Sequence, residues 1–161
     1  MSVFKTQFSR ALRVIPSDNA NIPFPASIEI GTNTSVTASY LVDSTATFVT
    51  NHVATGDIVY NLTDGTAATV LVVVNETTLL LNSDIFQATS KNYNLFQASS
   101  QTTIGNQGCN LYVGGAGNIT VVTIGQDVIT FNAVIVGSVL PIQIIKLLST
   151  GTTATLVNAL W

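Results

Sequence analysis

Short apolar runs of strand length, punctuated by Asp, Asn, Gly and Ser, recur along most of this chain. The clearest block is 56–86, GDIVYNLTDGTAATVLVVVNETTLLLNSDIF, in which Asp64-Gly65 and Asn75-Glu76 separate three apolar runs and so predict a three-stranded meander. Upstream, Thr37–Thr50 reads as a strand, a turn at Asp43-Ser44 and a second short element, with Val49, Val53 and Ile58 adding apolar surface. A polar stretch, Gln97–Gly108, reads as a connector. Five further runs follow at hairpin-like spacing: Asn110–Val113, Ile119–Ile124, Val128–Phe131, Val139–Leu148 and Thr153–Leu160. Gly114–Gly117 is expected to be a hairpin turn, and Gly117-Asn118 and Gln126-Asp127 to sit in tight turns that need positive φ. Pro141 lacks a ladder donor, so its strand should lie at an edge or be bulged there.

These runs predict an all-β protein, a class that fits the roughly one third of residues that are Val, Ile or Thr. Near the start, Arg13-Val14-Ile15 is expected to be a short strand, followed by PSDNANIPFP, whose prolines hold the chain extended and turn-rich. That piece is too short to fold alone. Val14, Ile15, Ile22 and Phe24 must be buried elsewhere, and the C-terminal strands offer the larger surface. The expected organisation is therefore a β-sandwich or jelly-roll-like base domain, discontinuous in sequence, built from residues 1–34 and 104–161. A small β-barrel-like domain, residues 35–100, is inserted into it.

Composition sharpens this picture. Only 8% of the 161 residues are charged while 47% are apolar, so disorder driven by charge is excluded and the surface must be largely Thr, Ser and Asn. Such an exterior suits a subunit of a large assembly better than a freely diffusing protein, and self-association is expected. The net charge of −3 argues against a nucleic-acid partner. Lys5, Gln7, Arg10 and Arg13 interrupt any signal-peptide core, and the greasy run 133–148 contains Ser138, Pro141, Gln143 and Lys146, so neither secretion nor a membrane span is expected.

The residues that could carry chemistry have structural explanations. His52 is the only histidine and no nucleophile-elbow motif flanks a serine, so no catalytic triad is expected and His52 reads as a turn residue. Cys109, the only cysteine, reads as a small buried hydrophobe. The eight carboxylates mostly neighbour Ser, Gly or Asn, which is turn chemistry, and no alternating acidic loop for calcium occurs. Gly114–Gly117 lacks the Lys-Ser/Thr ending of a phosphate loop. Sequons at Asn33, Asn61, Asn75 and Asn118 match what an Asn- and Thr-rich composition produces by chance. No enzymatic activity, cofactor or metal is expected. The one feature built for a partner is the amphipathic arm, with Phe4, Lys5, Phe8, Arg10 and Arg13, and the terminal Trp161 is a second anchor or a core plug.

Four segments carry a resemblance: Arg13-Val14-Ile15-Pro16-Ser17-Asp18, Leu111-Tyr112-Val113-Gly114-Gly115, Val128-Ile129-Thr130-Phe131 with Gly137-Ser138, and Leu140-Pro141 through the TGTTAT of 150–155 to Leu160-Trp161. In this order they resemble virion structural proteins of tailed phages, especially cyanophages, and the head-spike base proteins of gene transfer agents. The chain departs from that pattern at Gly114–Gly117, which lacks a Thr between glycines, and at Gln126-Asp127, which replaces a Gly-Asp turn. The resemblance implies a non-enzymatic virion component, made in the host cytoplasm. It would dock on the capsid as a head decoration, vertex or spike-base protein, with other virion proteins and copies of itself as partners. A tail or baseplate connector and a host-carbohydrate-binding module are the alternatives.

Overall fold

The computed structural model describes residues 8–98 and 108–161. Among them the chain is all-β and sandwich-like, with twelve strands in two six-stranded antiparallel sheets. The strands are β1 (Ala11–Arg13), β2 (Ser27–Thr32), β3 (Tyr40–Val42), β4 (Ile58–Asn61), β5 (Thr66–Asn75) and β6 (Thr78–Leu81). They continue with β7 (Asn92–Phe96), β8 (Cys109–Gly115), β9 (Gly117–Thr123), β10 (Val128–Val134), β11 (Val139–Leu147) and β12 (Thr155–Leu160). No helix among the described residues is long and apolar enough to cross a membrane.

The second sheet, ordered β2-β7-β4-β5-β6-β3, contains the expected meander as β4-β5-β6. Its turns form for local reasons. Asn61 Oδ1 accepts the amides of Thr63 and Asp64, and Gly65 supplies φ 68°. Asn75 Oδ1 accepts the amide of Thr77 in the next turn. Leu41, Phe48, Val59, Leu79, Phe86, Tyr93 and Leu95 pack together as the core of this half.

The first sheet runs β1-β12-β8-β11-β9-β10, and here the strand runs are as expected but their connection is not. The glycines of 114–117 do not make a hairpin, because β8 and β9 are not neighbours. β11 lies between them, and Ile144 pairs with Cys109 on one side and Thr123 on the other. The glycines serve close packing instead. A Cβ on Gly114 would lie 2.6 Å from the Leu156 carbonyl oxygen, and one on Gly117 would collide with the backbone nitrogen of Ala154, so only bare backbone lets β12 cross this corner. Pro141 is accommodated by a register shift between Leu140 and Ile144 rather than at an edge. Gln126, at φ 71°, makes the β9–β10 turn, whose Thr123 and Asp127 bond each other through backbone and side chains.

The N-terminal segment joins the two sheets. The short strand lies two residues earlier than expected, at Ala11–Arg13, paired with β12. Val14 and Ile22 are buried among Leu111, Val113, Ile119 and Val157 of the first sheet. Leu12 and Ile15 pack instead against Ala20, Ile58, Tyr60, Ala67 and Phe96, a cluster that draws on both halves. Hydrogen bonds lock this seam: Ser17 Oγ donates to the Ala67 carbonyl at 3.0 Å, and Asn82 Nδ2 and Thr69 Oγ1 both donate to the Asn19 carbonyl. The chain passes to the second sheet before residue 34, since β2 pairs with β7 over Ser27–Thr32.

Candidate functional site

The residues expected to meet a partner start from the two ends of the chain. Phe4 and Lys5 lie outside the described residues. Strand β1 pairs antiparallel with the last strand, Ala11 opposite Leu160 and Arg13 opposite Asn158, so arm and C-terminus leave the sheet side by side. The backbone ladder continues past the strand: the amides of Ser9 and Arg10 donate to the Trp161 carbonyl, and the Trp161 amide donates to the Arg10 carbonyl at 3.0 Å.

This pairing assembles a small aromatic and cationic surface. The Arg10 guanidinium sits 5.0 Å above the Phe24 ring and donates to the Pro25 carbonyl at 3.4 Å. Phe24 in turn meets Trp161 edge-on, with ring centroids 6.2 Å apart. The cation–π contact contributes roughly 0.5–1 kcal/mol at such an exposed site, and it holds a flexible arginine in one place. Trp161 is half-buried and packs on the first-sheet core, so it closes that core while keeping one edge in the surface cluster. Phe8 is 41% exposed. Arg13 is exposed on β1.

Of the six expected residues, the structure therefore brings Arg10 and Trp161 together. Phe24, expected only as a residue buried against the C-terminal strands, is half-buried and completes the cluster. Its prolines on both sides, Pro23 and Pro25, were the available signal, because they fix an extended segment that can present a ring to a neighbouring strand.

The other reactive side chains are occupied by structure. His52 is exposed at φ 60° in a turn closed by its amide on the Val49 carbonyl. Cys109 is buried, its thiol bonds the Ile144 carbonyl at 3.4 Å, and burial pushes its pKa up to about 12, so it is no thiolate nucleophile at neutral pH. Asp57 is fully buried and accepts the amides of Ala54 and Ala98. Asp43, also buried, accepts from the Thr45 amide and the Tyr93 hydroxyl. Losing water and facing that carboxylate both raise the Tyr93 pKa, desolvation more strongly. Glu76 accepts the amides of Val49 and Thr50, and Asp64 bonds Lys91 at 2.8 Å. Sequon residues Asn33 and Asn61 are buried, with side-chain amides donating to the Ala88 and Ile85 carbonyls. Among the described residues no three His, Cys, Asp or Glu side chains cluster as metal ligands would. Comparison with protein-family models, with characterised proteins and with solved structures finds no match for this chain.

Proposed function

We propose that this protein is a non-enzymatic structural component of a phage particle, a head decoration, vertex or spike-base subunit that docks through its N-terminal arm and C-terminal tryptophan. The observation that carries the reading is the juxtaposition of Arg10, Phe24 and Trp161 at the point where the arm enters the fold. Aromatic and arginine side chains at one spot are the composition of binding hot spots. The neighbouring sequence adds residues of the same chemistry, Phe4, Lys5 and Phe8. The resemblance of the four sequence segments to tailed-phage virion proteins supplies the kind of particle.

The occupation of the carboxylates, the histidine and the cysteine by turns and core supports a binding role over a catalytic one. A docking partner that fits this surface presents a shallow apolar groove with carboxylates at its rim, because Lys5, Arg10 and Arg13 are three of the five basic residues in the chain. Deleting residues 1–7 removes no described strand and should leave a folded protein that no longer joins particles. The single changes Arg10→Glu and Trp161→Ala should weaken incorporation in the same assay. Normal incorporation of the truncated protein would place the attachment surface elsewhere and overturn the arm's role. Gold-labelling the protein on assembled particles separates head from tail.

A further inference from the structure

The two sheets have four edge strands among the described residues, and three of them are protected. β1 and β3 are three residues long, and β1 carries Arg13; β2 carries Glu29. Short length and charge are the usual means of keeping an edge from pairing with another chain. β10 has neither. It spans seven residues, VITFNAV, is bonded on one side by β9, and no charged residue occurs from Val128 to Ile145. Its only irregularity is the register shift between Phe131 and Val134, with Ala133 at φ 52°, which leaves Val128–Phe131 in unbroken register with β9 and open on the other side.

Apolar side chains stand in solvent at both ends of this edge. Ile124 (40%), Val128 (66%) and Ile129 (43%) are exposed at the start, and Ile135 (71%) and Val136 (60%) lie in the loop that crosses from β10 to β11. Five exposed apolar side chains along one edge are costly in a free monomer.

We propose that β10 pairs antiparallel with β10 of a second copy about a twofold axis near Ile129 and Thr130, joining the first sheets of two subunits. A bare strand edge demands a strand as its partner, and an edge without charge demands an uncharged one. β10 itself meets both demands. The antiparallel arrangement carries the exposed Ile135 and Val136 of each copy toward the exposed Ile124 end of the other, so each end covers what the other leaves bare. It also sets the two Asp127 carboxylates on opposite sides of the axis, each beyond its own strand's first residue, so the charges do not face one another. An acidic or basic partner strand would bring an uncompensated charge to the same edge.

This interface is independent of the arm. Analytical ultracentrifugation of the intact protein at tens of micromolar should show a dimer or a multiple of it. Hydrogen exchange at the amides of Val128–Phe131 should slow as concentration rises. Ile129→Lys should abolish the dimer and that protection while leaving circular dichroism unchanged, and deletion of residues 1–7 should leave the dimer intact, so this inference and the docking role fail separately. A wild-type chain that sediments as a monomer, or exchange at Val128–Phe131 that does not respond to concentration, overturns the proposal. The same holds if folded Ile129→Lys retains the dimer.

Discussion

The two sheets use charge to different degrees. Between residues 27 and 98 lie Glu29, Asp43, Asp57, Asp64, Glu76, Asp84 and Lys91, and five of these carboxylates accept backbone amides of turns: Glu29 from Thr47, Asp43 from Thr45, Asp57 from Ala54, Glu76 from Val49 and Asp84 from Ser39. The described part of the first half holds Arg10, Arg13, Asp18, Asp127 and Lys146, and its corner is made with glycine. In the second sheet, then, acidic residues hold loops in place. In the first, Asp18 holds one loop by accepting the Thr150 amide and hydroxyl, threonines and close backbone packing serve elsewhere, and the outermost strand is left without charge. Exposed apolar side chains occur in the second sheet as well, at Leu71, Val72 and Val74, on the half of β5 that pairs with β6, while β4 pairs with its other half, Thr66–Thr69.

The strongest way to break this comparison is to make the same cut in both cores. Leu111→Ala in the first and Leu95→Ala in the second remove fully buried side chains and should each destabilise the protein by about 2–5 kcal/mol in urea unfolding. Because Leu12, Ile15, Tyr60 and Phe96 share one cluster across the seam, both variants should unfold in one transition followed identically by near- and far-ultraviolet circular dichroism. Two separate transitions, each moved by only one substitution, would make the sheets independent units.

Asp57→Ala tests the claim that charge is structural in the second sheet. It leaves the amides of Ala54 and Ala98 without their acceptor in a buried site, and should cost roughly 2–4 kcal/mol. A loss below about 1 kcal/mol would mean that water replaces the carboxylate.

Acid titration gives the smallest effect and divides it between the halves. The Thr150 hydroxyl and amide hold Asp18 below the ordinary carboxylate range, Lys91 and Asn61 do so for Asp64, and Thr50 does so for Glu76. Each folded-state value lies below the unfolded one, so the unfolded chain binds more protons in acid. The stabilisation is complete above the unfolded values, near pH 4 to 5, and is lost as pH falls through the lower folded values. Thermal melts should be flat from neutral pH to about 5 and decline below about 4. Glu76→Gln should remove part of that decline through the second sheet and Asp18→Asn a part through the seam. A melt that declines equally in both variants and the parent would refute these assignments.

Much of the fold was legible because the signals were local. Asp64-Gly65 and Asn75-Glu76 mark turns whose side chains bond backbone two or three residues away, so the meander could be read residue by residue. The five C-terminal strands were visible for the same reason. The corner at Gly114–Gly117 was misread because glycine serves two purposes, positive φ in a turn and close approach of another strand, and the second depends on β12, about forty residues away. Of the candidate surface, Arg10 and Trp161 were visible by residue type, whereas Phe24 was not, because only the pairing of β1 with β12 brings it to them.

What the sequence determined by itself is the class of the protein: strands from β-branched apolar runs, turns from Asp, Asn and Gly, and a surface nearly without charge. Those properties follow from each residue's own conformational and solvation preferences. The tertiary structure alone decided which strands are neighbours, that β11 separates β8 from β9, that β1 meets β12, and that β10, a strand without charge, is one of the edges. Such facts depend on non-local pairing, in which many registers satisfy the same apolar pattern and only the packing of the whole core selects one.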